Sequence, residues 1–183
     1  YESGRAARRQ RGTWAFLNAL PPQMRDLHVV RFRAGGDAWL GSSQGLWLRR
    51  RSSNHWTGWS HPAGDPRNVV HEILQTRDGS IWAASRAGVQ ILRPDGTTDS
   101  IDRIGSASLG SITGLAEDGA GHVWISSGAG FEGAYRWDGS DWRYFGSAAG
   151  LSANVHKIRI DGDGRPWFLG ILGETGPSLA DPT

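Results

Sequence analysis

Four tryptophans recur along this chain at nearly equal intervals of 43, 42 and 43 residues. A glycine precedes each of these tryptophans by three positions. The resulting frame consists of the pairs Gly36 and Trp39, Gly79 and Trp82, Gly121 and Trp124, and Gly164 and Trp167. A fixed pattern with a period of this length indicates a protein built from stacked structural repeats.

The second repeat shows the expected structure of one unit most clearly. Apolar and β-branched residues at 69–76, 81–85 and 89–92 predict three strands, and a weaker fourth strand follows at 98–102. Asp78–Gly79 has the residue types of a tight hairpin turn. Four antiparallel strands per repeat form one blade of a β-propeller, so we predict an all-β propeller of about four blades.

The repeat boundaries predict how the chain is organised. We expect a basic N-terminal tail over 1–11 and propeller repeats over 12–179, with 12–17 as an outermost strand. The blades are predicted near 27–68, 69–111, 112–153 and 154–179.

Two arrangements of the blades remain open. The strand at 12–17 could complete the fourth blade and close a small ring. Alternatively, the repeats form part of a larger propeller, in which case open sheet faces would favour self-association.

The frame tryptophans are expected to lie between blades, because a bulky residue repeated at one position builds a repeated core layer. Burying each indole contributes on the order of 2–3 kcal/mol. Pro166 directly precedes the last frame tryptophan and lacks a backbone donor, so we expect that strand to be short or irregular.

Composition excludes some classes of function. The net charge is only +2, and the basic clusters at 5–11 and 49–51 lack interleaved aromatic or amide groups, so we predict no nucleic-acid partner. Cysteine is absent, which excludes disulfides and thiolate metal sites. We predict no cofactor and no metal.

Three short motifs resemble functional signatures but fit the repeat better. Residues 41–45 match a nucleophile elbow and 128–133 a dinucleotide fingerprint, yet neither leads into a helix as those motifs require. The two aspartates of 161–164 are too few for a calcium loop, and we interpret them as a hairpin turn. We therefore predict no catalytic residue.

Histidines provide the best candidate site. His28, His71 and His156 each lie eleven residues before a frame tryptophan, and Thr113 occupies the same place in the third repeat. These positions begin the innermost strands, near one mouth of the central channel, where ligands of ring-shaped proteins bind. Imidazoles there could hold a metal, or an anion when protonated. Alternatively, each histidine caps its own strand or hydrogen-bonds a neighbouring blade.

The segments 112–118, 121–125 and 150–155 resemble the two-component regulator propeller repeat. The resemblance covers about residues 12–176, although Ala84, Ser126 and Leu169 replace the glycine that the family prefers after the tryptophan. It implies a non-catalytic module that senses a small molecule, a glycan or a protein at the propeller face. Such modules are usually periplasmic or extracellular parts of bacterial signalling proteins.

The repeat is also similar to the streptogramin lyase propellers, which use a metal with histidine and glutamate near the channel mouth. Glu72 and Glu117 are the candidate acids that this second resemblance offers. The alternatives to a sensor are therefore an enzyme of this kind and a purely structural interaction module.

Overall fold

A computed structural model describes residues 7–10, 13–16, 20–33, 35–53, 55–151, 154–170 and 178–179. Side chains are described from residue 20 to residue 170, within those ranges. The chain is all-β and consists of successive antiparallel sheets, as the repeat predicts.

Each sheet forms from strands that are consecutive in the chain. An N-terminal hairpin pairs β1 (Ala7–Gln10) with β2 (Thr13–Phe16). Blade 1 contains β3 (Leu27–Phe32), β4 (Ala38–Ser42), β5 (Gly45–Arg49) and β6 (Trp56–Trp59). Blade 2 contains β7 (Val70–Gln75), β8 (Ile81–Ser85), β9 (Gly88–Leu92) and β10 (Thr98–Ile101).

The later sheets repeat this plan. A small hairpin of β11 (Arg103–Ile104) and β12 (Ala107–Ser108) follows blade 2. Blade 3 contains β13 (Gly114–Glu117), β14 (Val123–Ser126), β15 (Ala134–Trp137) and β16 (Trp142–Phe145). Blade 4 has three described strands, β17 (Val155–Ile160), β18 (Pro166–Gly170) and β19 (Ser178–Leu179). Short 3₁₀ turns at Pro66–Asn68 and Ser147–Ala149 lead into blades 2 and 4.

The first three frame tryptophans each pack toward the blade that follows them. Trp39 shares a core cluster with residues of β7 and β8, and Trp82 shares one with residues of β13 and β14. Trp124 is 1% exposed, and its ring centroid lies 5.3 Å from that of Phe168 in blade 4. The prediction that these indoles join successive blades is confirmed for the first three.

The fourth frame tryptophan differs from the others. Trp167 is only half-buried, and Leu169, two residues further along β18, is 42% exposed. At the other end of the stack, Val30 and Phe32 of β3 are 40% and 65% exposed. The outward faces of blades 1 and 4 therefore retain apolar surface.

The structure differs from the sequence-based expectations at the N-terminal residues and at Pro166. Residues 7–10, within the predicted tail, form a strand, and β2 pairs with this strand rather than with β17, β18 or β19 in the described sheets. The closed ring thus stays a prediction. The sequence predicts a short or irregular strand at Pro166. The strand is not short, because β18 is five residues long and proline occupies its first position, where its missing donor is tolerated. The irregularity in its ladder with β17 lies between Val155 and Lys157, at the opposite end from Pro166.

An aspartate fixes the frame tryptophan in blade 3. The Oδ2 atom of Asp118 accepts a hydrogen bond of 2.7 Å from the indole nitrogen of Trp124, and Oδ1 accepts from the backbone nitrogens of Ala120 and His122. Burial alone would raise the pKa of Asp118, but these hydrogen bonds outweigh it and lower the pKa below its usual value. Asp161 bonds Trp167 in the same way in blade 4.

We expect Trp82→Ala to lower the free energy of unfolding by about 3–5 kcal/mol, because it leaves a large void between blades 2 and 3. Trp167→Ala is the matched control, and its half-buried ring should cost clearly less. Urea denaturation of the two variants measures the difference, and a loss below about 1 kcal/mol for Trp82→Ala would contradict its burial.

Asp118→Ala should lower the free energy of unfolding by about 1–3 kcal/mol, because the buried indole N–H of Trp124 loses its acceptor. Asp138→Ala, at an exposed turn where the carboxylate caps only backbone and a serine, is the control and should cost less. Since the folded pKa of Asp118 lies below its ordinary value of 3.8, its contribution is present above that pH and is lost as the pH falls further. The two stability curves of wild type and Asp118→Ala should therefore converge in acid.

Candidate functional site at the axial end of the innermost strands

The three candidate histidines occupy the same irregularity in three blades. The register between β3 and β4 shifts between Leu27 and Val29, which leaves His28 as the extra residue of a β-bulge. Equivalent shifts leave His71 as the extra residue in β7 and His156 in β17. A bulge changes the direction of its side chain relative to the ladder and is common beside functional sites.

Blades 1 and 2 bring two of these rings together. The centroids of His28 and His71 are 5.6 Å apart with an interplanar angle of 25°, so the rings are stacked. The Nδ1 atom of His28 lies 3.1 Å from the carbonyl oxygen of Val70, and it must donate because a carbonyl can only accept. One histidine thus hydrogen-bonds a neighbouring blade, as one of the two interpretations of the sequence proposed.

Blades 3 and 4 are joined differently. The Thr113 hydroxyl donates to the carbonyl oxygen of His156 at 2.8 Å and accepts from the backbone nitrogen of Gly128 at 3.2 Å. Thr113 therefore connects the two blades, and its ligand-binding role stays a prediction. The Nδ1 atom of His156 is buried without a hydrogen-bond partner, an arrangement that calls for a functional or structural explanation.

A buried carboxylate next to the bulge of blade 2 links three blades. Glu72 is 3% exposed, and its Oε2 atom accepts from the Lys157 ammonium of blade 4 at 3.0 Å. Its Oε1 atom forms an ion pair with the Arg31 guanidinium of blade 1. Lys157 also donates to the carbonyl oxygen of Thr113 at 2.9 Å, so all four blades contribute to this network. We call these residues, together with the three histidines, the axial cluster.

The axial cluster carries more positive than negative charge. Burial lowers the pKa of His71 below its usual range, and the neighbouring groups His28, Arg86, Lys157 and His156 lower it further. His71 is consequently harder to protonate than a free histidine. His28, His71 and His156 are each the second residue of an innermost strand, which places them at the end where β3, β7 and β17 begin.

The site lacks the donor set expected of a metal centre. Within the described ranges, no three or more histidine, aspartate or glutamate side chains are grouped closely enough to hold a metal ion. Glu72 is engaged by two cations, and Glu117 accepts hydrogen bonds from the backbone nitrogen of Arg77 at the far end of β13. Neither acid that the sequence offered lies free beside the histidines.

Sequence reasoning found the histidines but missed what surrounds them. Lys157 carries no repeat signal, because its position is occupied by different residue types in the other blades. Arg31 recurs only as Arg159 in blade 4, whereas blades 2 and 3 have leucine and alanine there. One signal was available: Lys157 is the single lysine of the chain and directly follows a candidate histidine. The bulges leave no mark in a pattern of apolar residues.

Comparisons with known proteins bear on the fold. No protein-family model and no curated protein sequence matches this chain. Among solved structures it is similar to the extracellular domain of BT4673, a hybrid two-component system protein of B. thetaiotaomicron, with 18% identity and a TM-score of 0.69 over 93% of this chain and 24% of that one. It is also similar to virginiamycin B lyase from Staphylococcus aureus, with 14% identity and a TM-score of 0.69 over 92% of this chain and 54% of the lyase.

A third similar structure is YCF48 from Cyanidioschyzon merolae, with 21% identity and a TM-score of 0.65 over 92% of this chain and 58% of that one. The chain therefore spans between a quarter and somewhat over half of these structures. At such identities the similarity establishes the propeller fold. In the part of the chain that the structure describes, no helix is both long enough and apolar enough to cross a bilayer.

We expect Glu72→Gln to lower the free energy of unfolding by about 1–3 kcal/mol, because Arg31 and Lys157 lose their shared counter-charge while the side-chain volume is kept. Lys157→Met should cost less, since Arg31 still compensates the carboxylate. A double-mutant cycle measured by urea denaturation should give a coupling of about 1 kcal/mol, and additive losses would show that the Glu72–Lys157 contact contributes nothing.

Proposed function

We propose that this chain is a non-catalytic sensing propeller that binds its ligand at the axial cluster. The observation that carries the proposal is the set of three matching bulges, which place His28, His71 and His156 at the same position near the start of the innermost strand in three blades. Core packing does not require a histidine at a bulge, because the neighbouring apolar residues complete the blade interfaces without the imidazole ring. Convergent polar groups at the mouth of a ring are typical of ligand sites.

The ligand that fits this cluster best is acidic. Lys157 is about one-third exposed, Arg86 is exposed, and Arg31 is about half exposed, whereas the one carboxylate among them, Glu72, is buried. An entering carboxylate or phosphate would meet the ammonium, the guanidinium groups and the imidazoles before it met Glu72. Binding of an anion would also favour protonation of His71, which its present surroundings disfavour.

We propose that the module acts outside the cytoplasm, as part of a bacterial two-component signalling protein. The likeness to the extracellular domain of BT4673 supports this assignment, as does the repeat's resemblance to two-component regulator propellers. Apolar surface on the outward faces of blades 1 and 4 supports contacts with a further blade or a second molecule.

A lyase-like enzyme is the second candidate, because the fold is similar to virginiamycin B lyase and histidines gather at the axis. The engagement of Glu72 by Arg31 and Lys157 favours the sensor, since this carboxylate is not free to serve as a ligand or a base. Stoichiometric metal in the purified protein that is lost in a His71→Asn/His156→Asn variant would favour the enzyme instead.

Histidine-resolved NMR titration tests the sensor proposal, with inorganic phosphate and citrate as probes and glucose as the neutral control. The anions should move the ring resonances of His28, His71 and His156 and raise the pKa of His71, whereas glucose should do neither. His55, an exposed histidine between β5 and β6, is the internal control and should not respond specifically.

Lys157→Met should weaken the anion response about tenfold or more, because it removes the ammonium group of the axial cluster. His55→Asn is the matched control variant and should leave the affinity unchanged. An anion response that is equal at His55 and His71 would contradict binding at the axial cluster. A response that is undiminished in Lys157→Met would contradict it as well.

A further inference from the structure

A groove of about 600 Å³ lies between the outer strands of blades 1 and 2, away from the axial cluster. Trp59 and Ser60 line it from blade 1 and Gln90, Leu92 and Ser100 from blade 2. A volume of this size suits a small ligand or the side chains of a bound segment.

The neighbouring interface explains why the groove is present. In blade 3, strands β15 and β16 pair Tyr135 with Tyr144 and Trp137 with Trp142. In blade 2, the corresponding pairs of β9 and β10 are Gln90 with Ser100 and Leu92 with Thr98. Directly paired residues share one face of a sheet, so each set of four faces the preceding blade.

Three of the four aromatic residues fill the interface, and the fourth, Tyr144, packs on Tyr135 with ring centroids 5.1 Å apart while it stays 50% exposed. Tyr135, Trp137 and Trp142 pack against the core between blades 2 and 3, and the centroid of Trp142 lies 6.3 Å from that of the frame residue Trp82. Blade 2 presents an amide, a leucine and two hydroxyls at the same four positions. The groove is therefore the space that aromatic rings occupy one interface further along.

The walls of the groove are held in place. Trp59 packs on the buried frame residue Trp39 with ring centroids 5.3 Å apart. His61 contacts the Gln90 amide at 3.2 Å, and Gln90 donates to the carbonyl oxygen of Arg67 at 2.7 Å. The groove thus offers an aromatic wall beside a fixed row of polar groups, with Asp99 at its rim.

We propose that this groove binds a protein or peptide segment through a tryptophan or tyrosine side chain. The indole of Trp59 would contact the inserted ring, since aromatic pairs favour tilted or offset packing at such distances. Gln90 and Ser100 can hydrogen-bond an indole N–H, a phenol or the peptide backbone. Trp59, Gln90 and Ser100 would contact either a tryptophan or a tyrosine side chain in the same way. The groove would therefore recognise one aromatic ring carried by an extended chain.

The test uses the peptides acetyl-Gly-Trp-Gly-amide and acetyl-Gly-Tyr-Gly-amide as probes, with acetyl-Gly-Leu-Gly-amide as the matched control. Backbone NMR of the protein should show shifts confined to residues lining the groove. The aromatic peptides should bind about tenfold or more tightly than the leucine peptide. Equal affinities would overturn the proposal, and so would a response to methyl β-D-glucopyranoside without a response to the aromatic peptides.

The variant Thr98→Trp/Ser100→Tyr copies blade 3 into blade 2 and should abolish peptide binding by filling the groove. Ser100→Tyr alone changes one exposed residue and should weaken peptide binding about tenfold. This single variant tests the proposal even if the double variant folds poorly. Ser106→Tyr, at the exposed turn between β11 and β12, is the control and should bind as wild type. Binding that survives Ser100→Tyr unchanged would show that the rings lie elsewhere.

Discussion

Each of blades 1, 2 and 3 is completed by the blade that follows it, because the indole on its second strand lies against the first two strands of the next sheet. Trp39, Trp82 and Trp124 are between 1% and 5% exposed, and a single sheet could not bury any of them alone. The aspartate of the preceding turn fixes the indole of Trp124 by a hydrogen bond, and that of Trp167 likewise. Trp39 lacks such a partner, since Arg33 occupies the corresponding position and the indole nitrogen is buried without a hydrogen bond. Stability in such a stack therefore depends on neighbour contacts and varies from one interface to the next.

The axial cluster and the groove between blades 1 and 2 depend on this stack of blades in two different ways. At the axis, innermost strands of adjacent blades lie side by side, so side chains from three or four blades can meet there, as Glu72, Arg31 and Lys157 do. At the rim, the sheets diverge and the space between them must be filled by large side chains. Where blade 3 supplies aromatic residues the interface is filled, and where blade 2 supplies Gln90 and Ser100 a groove remains. One architecture thus produces a polar site at its centre and an open groove at its edge.

The fold could be predicted from the sequence because its strongest determinant is local and repeated. The interval between Gly79 and Trp82 recurs in every blade, and it specifies a hairpin followed by a buried strand. The candidate histidines shared that period, so their position was predictable as well. Their surroundings were not, because Arg31, Glu72 and Lys157 meet across 41 to 85 residues and depend on three different blades. Likewise, the groove lies where blade 2 lacks the counterparts of Tyr135, Trp137 and Trp142, and this can be seen only when the blades are compared in register.

The bulges at His28, His71 and His156 have a consequence for how such a protein can change over time. A residue inside a regular ladder alternates between two packed faces, so its replacement disturbs one interface or the other. A bulge interrupts this alternation, and the paired residues on both sides of it keep their partners. New side chains can therefore be introduced at these three positions without breaking the ladder within a blade, although blades 1 and 2 would lose the hydrogen bond of His28 and its stacking on His71. Related molecules could in this way acquire different chemical preferences on the same scaffold.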